Sequence, residues 1–166
     1  MNKKVQSIKI NFVMNSILTM SSFIFPLITF PYVSRILLPS GIGKVSLATS
    51  VITYFTMFAQ LGIPTYGIRA CAKVRDNRKE LTKVSQELLI ISIIMSAISY
   101  MILFILLFSV SKFRCEKELY VILSFTILLT AIGMEWLYKA LEQYTYITMR
   151  SVIFKFIALI AMFFLV

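Results

Sequence analysis

The chain has 166 residues, 59% hydrophobic and 14% charged, where a soluble domain carries about 25% charge; it lacks the polar coat a water-soluble core needs, and lipid is the solvent that matches it. Its net charge of +10 does not point to nucleic acid, because the basic residues lie between long apolar runs rather than along one polar face. With no histidine and only two cysteines, Cys71 and Cys115, the usual zinc sites, histidine-based dyads, haem ligation and a secreted disulfide framework are excluded.

The start, Met1-Asn2-Lys3-Lys4, is like the charged head of a signal peptide, but the apolar stretch behind it runs past residue 30 without a small-residue cleavage site. It is therefore expected to stay as a first spanning helix. A spanning helix needs about 20 mostly apolar residues. On that measure crossings are expected at about 10–32, 43–63, 88–110, 119–138 and 152–166, the last cut off by the chain end. The fold class expected is all-α: a polytopic transmembrane helix bundle of about five spans, forming one membrane domain over residues 1–166, with no soluble domain.

Lysines and arginines orient such a chain, since they gather in cytoplasmic segments. With the N-terminus inside, the inner segments carry Lys3, Lys4, Lys9, Arg69, Lys73, Arg75, Arg78, Lys79, Lys83, Lys139, Arg150 and Lys155. The outer ones carry Arg35, Lys44, Lys112, Arg114 and Lys117. Twelve against five predicts a cytoplasmic N-terminus. It also puts Cys71 inside and Cys115 outside. The stretch from Arg69 to Lys83 is the most charged, and reads either as a surface for anionic lipid or phosphate or as a solvated topology anchor.

Along the first span Asn11, Asn15, Thr19, Ser22, Pro26 and Thr29 recur every three or four residues, which places them on one helical face. The second span repeats this with Ser46, Thr49, Thr53, Thr56 and Gln60. Such faces turn away from lipid, toward a wet cavity or toward other helices. For Ser92, Ser96 and Ser99 in the third span, and Thr126, Thr130 and Gly133 in the fourth, helix packing is a sufficient account. In the first span both readings stay open. Pro26 and Pro31 deprive the carbonyls of Ser22 and Leu27 of their helical partners, and such interruptions mark either substrate paths or simple kinks. Arg35, near the outer end, either snorkels to headgroups or holds an anion through its fork of donors. Glu135 is the acidic residue inside a span. It either pairs with Lys139 one turn on or binds a coupling cation, while Trp136 and Tyr138 anchor the inner interface.

The run Pro26-Leu-Ile-Thr-Phe-Pro-Tyr-Val-Ser-Arg-Ile-Leu-Leu-Pro-Ser-Gly-Ile-Gly43 resembles the first helix and outer loop of bacterial polysaccharide flippases of the Wzx type, relatives of multidrug exporters and of the lipid II flippase. Further likenesses follow in order: Tyr54-Phe…Leu61-Gly-Ile-Pro-Thr-Tyr-Gly-Ile-Arg69, then Lys73-Val-Arg-Asp-Asn, then Glu135-Trp-Leu-Tyr-Lys-Ala-Leu-Glu-Gln-Tyr…Ile147-Thr-Met-Arg150. There are departures. The outer loop usually reads Leu-Gly-Pro where Leu37-Leu38-Pro39 stands, and glycine is usual at Ala140.

The resemblance implies part of the N-terminal lobe of a transporter with twelve to fourteen helices in two lobes, in the bacterial plasma membrane. The implied activity is transfer of polyprenyl pyrophosphate-linked oligosaccharide repeat units to the outer leaflet. The implied partners are that lipid-linked oligosaccharide, membrane lipid, and polysaccharide polymerase and assembly proteins, with no nucleic acid. No catalytic residue, metal or cofactor is implied. The candidate substrate-path residues are Asn15, Thr19, Ser22, Pro26, Pro31, Arg35 and Gln60. A multidrug or cation antiporter of the same superfamily, a membrane-bound transferase and a truncated non-transporting membrane protein are the alternatives. The first needs in-span carboxylates and the second a positioned base or metal ligands.

Overall fold

The computed structural model describes residues 8–165; Lys3 and Lys4 and the end of the last predicted span at Val166 lie outside that range. Among the described residues seven helices follow in order: α1 (Ile8–Gln60), α2 (Ile63–Lys73), α3 (Arg78–Ser109), α4 (Ser111–Arg114), α5 (Lys117–Gly133), α6 (Glu135–Ala140) and α7 (Tyr144–Leu165). There is no strand among the described residues. Four helical runs are long and apolar enough to cross a membrane: Lys9–Lys73, Arg78–Ser109, Lys117–Ala140 and Tyr144–Phe164. The chain is thus an all-α, polytopic membrane protein. Side chains such as Phe12, Phe23, Leu27, Phe108, Leu129 and Phe164 stay exposed, as lipid-facing residues do.

The first run holds 65 residues, which as one straight helix would extend roughly 100 Å against a hydrocarbon core about 30 Å thick. Its continuity is broken at Leu38, with φ 59° and ψ 167°. The cause is local. A residue before proline is pushed out of the right-handed helical region toward extended ψ, and Pro39, with its fixed φ and no N–H to lose, starts the next helical limb. The positive φ of Leu38 is additional strain that the proline does not require. Pro26 and Pro31, the two prolines that read as interruptions, lie inside the helical limb 8–37. The sharp break belongs to the third proline.

The other boundaries have equally local reasons. Leu61 (φ 43°) and Gly62 (φ 73°) make a left-handed turn, and Pro64 follows in the first turn of α2. Asn77 caps α3, its Oδ1 accepting from the N–H groups of Lys79 at 3.2 Å and Glu80 at 3.5 Å, with the Glu80 carboxylate in the first turn. α3 therefore starts ten residues before the apolar span predicted from 88. Met134 adopts a left-handed conformation (φ 43°) and separates α5 from α6.

Two compact units result, Met1–Ile42 with Leu141–Val166, and Gly43–Ala140. In the first, limb 8–37 packs along α7. The Thr148 hydroxyl donates to the Met14 carbonyl at 2.9 Å, and the rings of Tyr32 and Phe163 meet at 4.8 Å. In the second, Ala48, Ile52, Ala59, Leu103, Leu107, Tyr120 and Ile127 form one apolar cluster. Ile63, Cys71, Leu88, Trp136 and Ala140 form another. The Ser99 hydroxyl donates to the Phe55 carbonyl at 2.9 Å, and the Tyr100 hydroxyl to the Ser124 carbonyl at 2.6 Å. Ser92, Ser96 and Ser99 are buried, the packing role expected of them. On α5 the buried face is instead Tyr120, Ser124, Ile127 and Ala131, and Thr126 and Thr130 stay exposed. Tyr120 and Ile127 there supply more apolar contact than a threonine pair can.

Candidate functional site

The polar residues gather in two places, one in each unit. In the first unit, limb 8–37 carries two neighbouring stripes. Asn11, Met14, Leu18, Ser21, Phe25 and Thr29 are buried or half-buried, and they form the seam toward α7. Beside them Asn15, Thr19, Ser22 and Pro26 are exposed, as are Pro31 and Arg35 farther along. The hydroxyls of the exposed stripe are internally satisfied: Thr19 donates to the Asn15 carbonyl at 2.9 Å and Ser22 to the Leu18 carbonyl at 3.0 Å. Such back-bonding removes much of the penalty for a hydroxyl in lipid and leaves the oxygen able to accept from a ligand or from water.

Between the two stripes sits a cation that sequence reasoning assigned elsewhere. Lys155 was counted with the inner segments, but it is the twelfth residue of α7, which begins at Tyr144. At 1.5 Å per residue that is roughly 17 Å into the helix. Its Nζ donates to Ser21 Oγ at 2.9 Å and to Ser22 Oγ at 2.8 Å. A lysine inside a spanning helix is costly, up to about 3 kcal/mol at the bilayer centre on insertion scales, which marks Lys155 as a candidate functional residue. The signal that could have revealed it was already visible: one lysine inside the apolar run 152–166. Moving Lys155 out of the inner count leaves eleven against five, so the orientation argument keeps its sign.

In the second unit a cavity of about 210 Å³ opens between the end of α1, α2, α3 and the α5–α6 junction. Gln60, Ser92, Thr130, Glu135 and Lys139 supply its polar lining, and Ile63, Pro64, Ile68 and Trp136 its apolar walls. Glu135 Oε1 lies 3.0 Å from Lys139 Nζ, the i,i+4 pair that the sequence offered as one of two readings. The pair is half-exposed, so it adds little stability and remains within reach of solvent or ligand. Trp136 is held in place by Gly67: a Cβ added there would come within 2.7 Å of Trp136 Cε3. The cavity is large enough for several waters and too small for an oligosaccharide. Of the predicted path residues, Gln60 alone lines it; the other six lie on limb 8–37. Among the described residues no three His, Cys, Asp or Glu side chains cluster as metal ligands would.

An all-α chain with several helices long and apolar enough to cross a bilayer defines a polytopic integral membrane protein. Residues 8–166 match the profile of the family described as polysaccharide biosynthesis protein. The chain belongs to that family. It is similar to the "Putative O-antigen transporter" of Escherichia coli (strain K12), with 25% identity over 155 residues, covering 92% of this chain and 37% of that protein. The chain thus spans a little over a third of that relative's length. No solved structure matches it.

Proposed function

We propose that the protein moves lipid-linked oligosaccharide repeat units, carried on polyprenyl pyrophosphate, from the cytoplasmic to the outer leaflet of a bacterial plasma membrane for surface polysaccharide export. The observation that carries this reading is the exposed stripe of Asn15, Thr19, Ser22 and Pro26 beside a separate packing seam. A polar face that meets α7 at its Ser22 edge, through Lys155, and otherwise stays exposed suits a route for a sugar headgroup whose lipid tail stays in the bilayer. Family membership and the likeness to a transporter support it. In this reading five segments cross the membrane, two of them the limbs on either side of Leu38, and the N-terminus is cytoplasmic. Pro31 and Arg35 continue the path outward along the same limb, while Gln60 belongs to the cavity of the other unit. Polysaccharide polymerase and assembly proteins receive the cargo.

An antiporter of the same superfamily is the second reading, and Glu135 is its natural cation ligand. The pairing of Glu135 with Lys139 counts against it, because the carboxylate already has a counter-charge. The test is genetic and chemical together. Loss of the gene should abolish surface polysaccharide and leave lipid-linked repeat units in the inner leaflet, protected from an external glycosidase in intact cells. Repeat units that still reach the outer leaflet at the normal rate would overturn the flippase reading.

A further inference from the structure

We propose that Lys155, with Ser21 and Ser22, is a binding site for a lipid-linked phosphate group at the middle of the membrane. Three observations place it there. First, depth: Ser21 is the midpoint of the predicted span 10–32, and Lys155, the twelfth residue of α7, reaches it from the neighbouring helix at 2.9 Å. Second, the cluster has a charge and no counter-charge. The two contacts of the ammonium are neutral hydroxyls, and no carboxylate pairs with it among the described residues. Third, the hydroxyls are arranged as acceptors. Ser21 donates its proton to the Leu18 carbonyl at 2.7 Å and Ser22 to the same carbonyl at 3.0 Å, so both oxygens point lone pairs at Nζ.

An ammonium has three N–H donors, of which the serines take two. The third and the full positive charge are left for a ligand, and the site opens on the exposed stripe through Ser22. A cation held at the bilayer centre is best matched by an anion, and an oxyanion with several acceptors is the class that an ammonium and neighbouring hydroxyls bind together. A helix-to-helix latch alone needs no charge, since serine hydroxyls bond equally well to a neutral amide. The anion can come from an isoprenoid pyrophosphate or from a phospholipid headgroup in transit; both share the phosphate chemistry. The proposal rests on the flippase reading only for which of these is the physiological source.

The test uses the protein reconstituted in phosphatidylcholine nanodiscs, with labelled farnesyl pyrophosphate as probe. Saturable binding that farnesol does not displace is expected of the wild type. Lys155→Gln keeps N–H donors for both serines and removes the charge. It should weaken binding by about tenfold or more, the effect of one lost charge-assisted contact, and leave the melting temperature of the empty protein unchanged. Lys155→Arg should retain binding. Displacement by farnesyl pyrophosphate but not by phosphatidylglycerol identifies an isoprenoid source, and equal displacement by both identifies phospholipid; either supports the site. Undiminished binding in Lys155→Gln, or no phosphate-dependent binding by the wild type, overturns it. A strain that exports normally while Lys155→Gln binds normally would refute this site and spare the flippase reading. Phosphate binding lost in Lys155→Gln, in a protein that exports no polysaccharide, would do the reverse.

Discussion

At the scale of single residues, Gly67 leaves no room for a side chain against Trp136. A methyl group at Gly67 would meet the indole at 2.7 Å, and the ring, itself buried among Ile63, Cys71 and Leu88, cannot swing aside cheaply. Gly67→Ala should therefore destabilise the protein by about 1–3 kcal/mol, the usual size of overpacking. A detergent melt should show this as a lower midpoint. Trp136→Leu in the same background removes the ring and should recover most of the loss. An unchanged midpoint for Gly67→Ala would show that the indole is not held there. The sequence marks Trp136 as an interfacial anchor; the structure shows it on α6, buried against Gly67 of α2. What it presses on was not legible, because the contact joins residues 69 apart in the chain.

At the scale of elements, the break in α1 is the feature with the clearest local cause. Leu38 holds φ 59° and ψ 167°, a region that only glycine visits without strain. Leu38→Gly should relieve about 1–3 kcal/mol of that strain and raise the midpoint of unfolding while the protein still inserts normally. A drop in stability would mean that the leucine side chain holds the break rather than resisting it. The familiar Leu-Gly-Pro of the resembling flippases places glycine at this very position, which is why the substitution should be accepted.

The polar stripe gives a second test on the same helix. A cysteine at Thr19 should react with a small water-soluble thiol reagent if the stripe lines a wet path. A cysteine at Leu18, in the half-buried seam, or at Phe23, exposed and apolar, should not. Equal reactivity at Thr19 and Leu18 would leave the stripe without a path. Asn15, Thr19, Ser22 and Pro26 were readable from their three- and four-residue spacing. Asn11 and Thr29 share that spacing, but they lie at the edge of the face and fall into the buried seam. The rest of that seam was not readable, because Met14, Leu18 and Phe25 look like any lipid-facing residues until α7 is laid against them.

At the scale of the whole molecule, orientation is the property most directly open to test. Cys115 is exposed near the predicted outer end, so an impermeant thiol reagent should label it in intact cells. Cys71 is 0% exposed, with Sγ 3.6 Å from Ser85 Oγ, so its silence would report burial and not sidedness. The inner face is better probed with Lys79→Cys, which should react only after the membrane is opened. Labelling of Lys79→Cys in intact cells, with Cys115 silent, would reverse the topology. What the sequence determined by itself was whatever depends on solvent and on period: a lipid-embedded, all-α chain, its apolar runs, a bias of basic residues, and polar faces spaced by the helical turn. Those follow from transfer free energies and the 3.6-residue repeat, which act residue by residue and need no partner. Only the tertiary structure decided that Lys155 reaches Ser21 and Ser22 rather than a cytoplasmic loop, that Gln60 shares a cavity with Glu135, and that α5 buries Tyr120 and Ile127 instead of its threonines. Each of those depends on which helix faces lie against each other, and one-dimensional patterning does not encode the pairing of faces from distant segments.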